Sequence, residues 1–343
     1  MRLITISALS VATVNCGNSD FFFGLAPEDD FFEQSSTLNR ISTIDVLWVV
    51  DNSGSMSDLQ QNIADNMNSF MSDFLIQGYD FQMAVIGTDA WRSGYFPADA
   101  NLAKFRDGTD QTQHTGVFVV TPQTPNPVQT FVTNFMLGTS GTGDERAFQS
   151  FRAALDSPLN SGFVRRGGYL AIIIVSDEED FSHDDATMNE SYAQPTLHSI
   201  QSYVDYLSAL TGSSGRYRRY NVSTVSILDQ NCLNQSGGKI GNRYMELADA
   251  TGGLKVDVCS PTFANDLNML RSYLLEMLTQ FNLTREPLKE TIKVYVNGRL
   301  IPEDERNGWT YHADVNAIRF HGSEVPPEGA QISVNYDPAA IKQ

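Results

Sequence analysis

Long apolar runs are missing from this chain of 343 residues. No stretch reaches the ~20 consecutive apolar residues that a membrane-spanning helix needs, which excludes a helical integral membrane protein. Basic residues are scarce as well: 23 Lys and Arg stand against 41 Asp and Glu, a net charge of −18. A surface so acidic repels nucleic acid and anionic lipid, so both are excluded as direct partners, and it suits cations. Histidine is rarer still. His114, His183, His198, His312 and His321 form no pair with metal-ligand spacing. Cysteine is limited to Cys16, Cys232 and Cys259, and no internal repeat is present. The remainder is ordinary for a folded chain. Hydrophobic residues at 41% and charged residues at 19% argue against disorder, and the length suits about two domains.

Residues 1–16 have the character of an export signal, with Arg2 followed by a short apolar stretch from Leu3 to Val14. The stretch runs into Thr13-Val14-Asn15-Cys16-Gly17. This resembles the cleavage box of bacterial lipoproteins, in which the Cys becomes the lipidated first residue. Thr13 and Asn15 depart from that box, and the alternative is a plain cleaved signal peptide with an incidental Cys. The resemblance implies export and a lipid anchor at Cys16, on the outer membrane or cell envelope. The membrane would be touched through that anchor alone. Cys232 and Cys259 then remain as an even pair, which in an exported chain reads as a disulfide. Two buried free thiols are the alternative.

Residues 17–40 form a lead-in too rich in Phe for a plain tether, so part of it is expected to pack on a domain. From residue 41 the pattern alternates. Ile44–Val50, Phe81–Ile86, Val117–Val120, Tyr169–Val175, Val222–Leu228 and Leu254–Val258 read as strands. Met56, Leu59, Ile63, Met67, Phe70, Met71 and Phe74 recur at helical spacing, and four further helices fall near 128–137, 145–155, 197–210 and 244–250, with a last one near 263–278. Such alternation predicts an α/β unit over 41–283, built on a doubly wound, mostly parallel sheet. After Pro287 the period changes to two, and Asn297-Gly298 is a hairpin signal. Residues 286–343 therefore read as a small all-β module.

The first strand ends in Asp51-Asn52-Ser53-Gly54-Ser55-Met56 and opens directly into a helix. Open α/β sheets place their sites at this end of the strands. Asp51, Ser53 and Ser55 alternate, so their oxygens can converge on one point. Three hard oxygen donors suit Mg²⁺, Mn²⁺ or Ca²⁺ and no soft metal. Farther along, Gly141-Thr142-Gly143-Asp144-Glu145-Arg146-Ala147-Phe148 precedes a helix, and Ile173-Ile174-Val175-Ser176-Asp177 closes the most apolar strand.

These three pieces together resemble the von Willebrand factor type A domain with its metal-ion-dependent adhesion site, over roughly residues 42–282. The resemblance implies metal positions at Asp51, Ser53, Ser55, Thr142 and Asp177. Ser53, Ser55 and Thr142 would bind the ion directly, and Asp51 and Asp177 would hold its waters and orient the hydroxyls. One open position would take a carboxylate from a protein or other acidic ligand. Glu178 departs from the family, which often has Gly there.

Around this edge, Asp89, Trp91 and Arg92 in the long 88–115 loop, with Glu178 and Asp180, are candidates for a ligand-contacting rim. Asp177–Asp185 carries six acids in nine residues. It reads as a solvated loop, with an extra Ca²⁺ site or an acidic rim beside the metal as the alternatives, and His183 at the surface. The favoured function is a metal-dependent binding or adhesion protein, with no enzymatic activity. A metal-dependent phosphohydrolase is the first alternative, but Ser53 stands where such enzymes carry a second Asp, and a serine hydrolase is disfavoured because no Gly-x-Ser-x-Gly elbow surrounds Ser53. An envelope-assembly part that uses the metal as a fold staple is the second.

Overall fold

Strand β2 (Thr43–Val50) is buried along nearly its whole length, because it has covered faces on both sides. Alternate side chains serve two different cores. Ile44, Val46, Trp48 and Val50 join one apolar cluster, and Leu47 and Val49 join another. That division follows from the two-residue period of a strand. The computed structural model describes residues 28–33, 43–76, 80–109, 114–213, 218–326 and 330–339. The expected signal segment and Cys16 lie outside the described residues. Strand β1 (Glu28–Glu33) precedes β2 but belongs to another sheet.

Five strands make the large sheet, in the order β3-β2-β4-β5-β6. They are β3 (Asp80–Gly87), β2, β4 (Tyr169–Ser176), β5 (Tyr220–Ser226) and β6 (Lys255–Asp257), all paired in parallel. Helices α1 (Ser57–Ile76), α2 (Pro127–Phe135) and α7 (Phe263–Leu278) cover one face. Helices α3 (Ala147–Asp156), α4 (Ile200–Thr211) and α6 (Asn242–Thr251) cover the other. The short α5 (Gln230–Ser236), which periodicity did not anticipate, carries Cys232. Trp48 anchors the first core, meeting Phe70, Phe135 and Phe131 edge-on at 5.3, 5.6 and 5.8 Å. Edge-on packing is the favoured arrangement for such rings. The doubly wound α/β fold read from the sequence is the one observed.

Val117–Val120 is a correction to that reading. It makes only an isolated antiparallel bridge, Met83 to Val120. Gly116 takes a left-handed φ of +72°. Side chains then claim the backbone of the next residue, Asn134 donating to the Val117 carbonyl at 2.6 Å and the Val117 N–H donating to the Thr115 hydroxyl at 3.1 Å. Groups taken in this way cannot enter a ladder.

The strands of the C-terminal part all pair antiparallel. Strand β7 (Gln280–Asn282) follows α7 at once. Strands β8 (Lys293–Val296) and β9 (Arg299–Ile301) form the expected hairpin, with Asn297 and Gly298 both at positive φ. Strands β10 (Trp309–His312), β11 (Ala317–Phe320) and β12 (Gln331–Tyr336) complete two sheets, β1-β12-β8-β9 and β10-β11-β7. Residues of both sheets, among them Val294, Val334, Trp309 and Phe320, share one core. Two expected boundaries shift as a result. Residues 28–33, in the stretch read as a lead-in, are an edge strand on β12, and 280–282 pair with β11 although the sequence places them before the boundary. Among the described residues no helix is long and apolar enough to cross a membrane.

Candidate metal centre

Parallel strands deliver their C-terminal ends to one edge, and the residues that follow β2 and β4 meet there. The Asp51 N–H donates to the Val175 carbonyl at 2.8 Å, which joins the two strand ends. The Asp51 carboxylate is fully buried. Its Oδ1 accepts from the Ser53 N–H at 2.8 Å and its Oδ2 from the Ser176 hydroxyl at 2.6 Å. Burial outweighs these two bonds and raises its pKa to about 6, with the Asp177 charge adding to the effect. The Ser53 and Ser55 hydroxyl oxygens lie 3.4 Å apart, and the Ser55 hydroxyl donates to Asp177 Oδ1 at 3.1 Å. Four of the five expected metal positions are thus linked in one cluster.

The fifth, Thr142, follows a backbone contact with the same loop: the Gly141 N–H donates to the Asn52 carbonyl at 2.8 Å. A Cβ at residue 141 would lie 2.4 Å from Asn52 Cγ, so any other residue there would displace the Asn52 side chain. Gln60 holds the same loop from below. Its side-chain amide donates to the Asp51 and Gly138 carbonyls, both at 2.9 Å, and accepts from the Gly138 N–H at 3.1 Å. Sequence reasoning passed over Gln60. The available signal was a polar residue at helical spacing on the apolar stripe of Met56, Ile63 and Met67.

Glu145 was also passed over. It is only 3% exposed, and its Oε1 has no hydrogen-bond partner. Burial, reinforced by the nearby charge of Asp51 and then of Glu178 and Glu190, pushes its carboxyl up to about 9. The basic side chains around the cluster are engaged elsewhere. Lys239 Nζ lies 2.6 Å from Glu178 and 2.9 Å from Glu190. Arg146, fully buried, pairs with Asp144 at 2.8 Å and donates to the carbonyls of His183, Asp185 and Thr187.

Three of the expected rim residues are not rim. Trp91 is buried, its indole N–H donating to the Asp144 carbonyl at 3.1 Å with the Arg146 guanidinium 3.8 Å above its ring. Asp89 is buried beside Asn52, whose amide donates to it at 3.3 Å. Asp180 is buried too: it accepts from the Phe148 N–H at 3.0 Å in the first turn of α3 and lies 3.4 Å from Arg243. Arg92 is partly exposed but bound to Asp99 at 2.7 Å, which leaves Glu178 as the candidate nearest the cluster.

Most of the acidic run is folded in: Asp177, Glu179 and Asp180 are buried and Glu178 is half-buried, while Asp184 and Asp185 are exposed. Glu179 accepts from the Arg243 N–H at 3.1 Å, in the first turn of α6, and from the Tyr192 hydroxyl at 2.7 Å. Carboxylates placed at helix N-termini face unpaired N–H groups and a favourable dipole. His183, expected at the surface, is buried between the Phe181 and Thr187 carbonyls.

Cys232 and Cys259 form a disulfide with their Cα atoms 5.5 Å apart. The two sulfurs and an Asp257 oxygen lie within 4.8 Å of one another, but bonded sulfurs are not thiolate ligands. The donors at the Asp51 cluster are all hard oxygens and carry uncompensated buried charge. That set fits a divalent cation such as Mg²⁺, Mn²⁺ or Ca²⁺.

No family model matches the chain, and neither does any curated protein. Solved structures similar to it include the pilus adhesin SpaC of Lactobacillus rhamnosus GG in an open conformation. That pair is 12% identical, with a TM-score of 0.43, over 90% of this chain and 40% of the adhesin. The pilus adhesin RrgA of Streptococcus pneumoniae gives 10% identity and 0.37 over 90% and 57%. Proximal thread matrix protein 1 of the mussel byssus, with a zinc-occupied MIDAS motif, gives 10% and 0.38 over 71% and 47%. The chain thus spans about half or less of the length of most of these proteins.

Proposed function

We propose that this chain is a metal-dependent binding module that grips a protein, or another ligand offering a carboxylate, at the C-terminal edge of its parallel sheet. The observation that carries this reading is the Asp51 cluster. Buried carboxylates stand beside the Ser53 and Ser55 hydroxyls, with the neighbouring basic side chains committed to other acids. Ser53, Ser55 and Thr142 would hold a divalent cation through their hydroxyls, while Asp51 and Asp177 keep those hydroxyls oriented. A cation held there supplies an electrophilic position for a partner's carboxylate oxygen. The Ser53 N–H and the Ser176 hydroxyl lock the Asp51 carboxylate in place, and Gln60 fixes the loop that brings Thr142. The disulfide suits an oxidising compartment, as expected of an exported binding protein.

Retention on a glutamate-bearing surface tests this function. The native chain should be held in millimolar Mg²⁺ or Mn²⁺ and released by a chelator, and Asp51→Ala should pass unretained. Equal retention of both proteins, or retention that survives chelation, would sink the reading.

A further inference from the structure

Glu145 lies outside the five positions implied by the family resemblance, yet its segment is held against the Asp51–Ser53 loop. It stands three residues after Thr142, on a segment pinned at both ends. The Gly141 N–H donates to the Asn52 carbonyl at 2.8 Å, and the Arg146 N–H reaches the Thr88 carbonyl at 3.4 Å. The side chain is almost wholly buried, and Oε1 lies out of contact with water and without a hydrogen-bond donor. Buried carboxylate oxygens are normally paired. Three bases in this region have other partners: Lys239 lies between Glu178 and Glu190, Arg146 on Asp144 and three carbonyls, Arg243 on Asp180. The carboxylates whose charge Glu145 feels, Asp51 first, are those of the cation cluster and its border. A buried acid among other acids either keeps a proton or takes a cation, and a cation held beside Asp51 would displace that proton.

We propose that Glu145 is a sixth protein group of the cation site, facing the same ion as Asp51, Ser53, Ser55, Thr142 and Asp177, so that the site retains a divalent cation with no partner present. This inference rests on the proposed function. Two carboxylates would only balance a divalent charge. A third leaves the occupied site with an excess negative charge of its own, which lets the chain keep the metal before any partner's carboxylate arrives.

Calorimetric titration of Mn²⁺ alone into the metal-stripped chain, beside Glu145→Gln and Asp51→Asn, tests this. Glu145→Gln should weaken Mn²⁺ binding by about tenfold to a hundredfold, the range typical of groups that support a metal's ligands. The metal-free variant should melt no lower than the native chain, because Glu145 Oε1 makes no hydrogen bond that the amide would lose. A merely structural Glu145 would do the opposite. If Asp51→Asn abolishes binding while Glu145→Gln binds as tightly as native, the sixth-group inference is overturned and the five-residue site stands. A lower metal-free melting temperature for Glu145→Gln likewise overturns it. If the native chain itself takes up no Mn²⁺, the proposed function falls and this inference falls with it.

Discussion

Neutralising Asp51 should make the metal-free protein more stable, the reverse of what removing a buried hydrogen-bonding residue normally does. The carboxylate is fully buried, and its pKa rises from 3.8 to about 6. Two units correspond to about 3 kcal/mol of unfavourable charge burial at any pH above 6. Asp51→Asn removes that charge and keeps the shape. It sacrifices part of the bonding to the Ser53 N–H and the Ser176 hydroxyl, a loss of about 1–2 kcal/mol. The net expectation is a gain of about 1–2 kcal/mol at pH 8.

The sign of the pH dependence follows from the raised pKa. The folded state holds the Asp51 proton more tightly than the unfolded state does. Native stability therefore increases as pH falls through 6 toward 3.8, and the advantage of the variant shrinks over that window. Urea unfolding in chelator at pH 8, 6 and 4.5 measures it. Saturating metal should reverse the order, since a ligand at a hundred times its Kd adds about 2.7 kcal/mol to the native chain and nothing to a variant that cannot bind it. An Asp51→Asn chain that is less stable than native at pH 8 in chelator, with a gap that does not change with pH, would refute the account of an uncompensated metal-site charge.

Replacing Gln60 by Leu should leave the Asp51 and Gly138 backbone groups unsatisfied, lower stability by about 1–3 kcal/mol and weaken metal binding together; thermal melts and metal titration read the two effects. Arg165→Ala is the control at the opposite edge of the sheet, where Arg165 lies 2.6 Å from the buried Asp45 and 2.7 Å from Asp80. It should cost about 3–5 kcal/mol in urea unfolding and leave metal affinity unchanged. Reducing the Cys232–Cys259 disulfide, or replacing both cysteines by Ala, opens a loop of 27 residues and should cost about 3.5 kcal/mol in the chain-entropy estimate, again without loss of metal binding.

Repeating local patterns made the fold legible. Ile44–Val50 and Tyr169–Val175 are apolar because both faces of a central parallel strand are covered, so their composition announces their place. The Asp-x-Ser-x-Ser turn is legible for a similar reason, since one short backbone segment presents its three side chains. Partners distant in sequence were not legible. The acids of 177–185 look like a solvated run until Arg243 and the first turns of α3 and α6 are brought against them. Trp91 reads as an exposed loop aromatic until Arg146 covers it. Glu145 sits between Thr142 and the start of a helix, and nothing local marks its burial. Strands 28–33 and 280–282 take their identity from partners at 331–336 and 317–319, pairings that no nearby residue encodes.

The central claim is that the Asp51 cluster holds a divalent cation. Titrating Mg²⁺, Mn²⁺ and Ca²⁺ by calorimetry into the metal-stripped chain, beside Asp51→Ala, tests it most directly. The account predicts saturable binding of one ion per chain that Asp51→Ala abolishes. Native protein that binds none of the three, or Asp51→Ala protein that binds as native does, would contradict it.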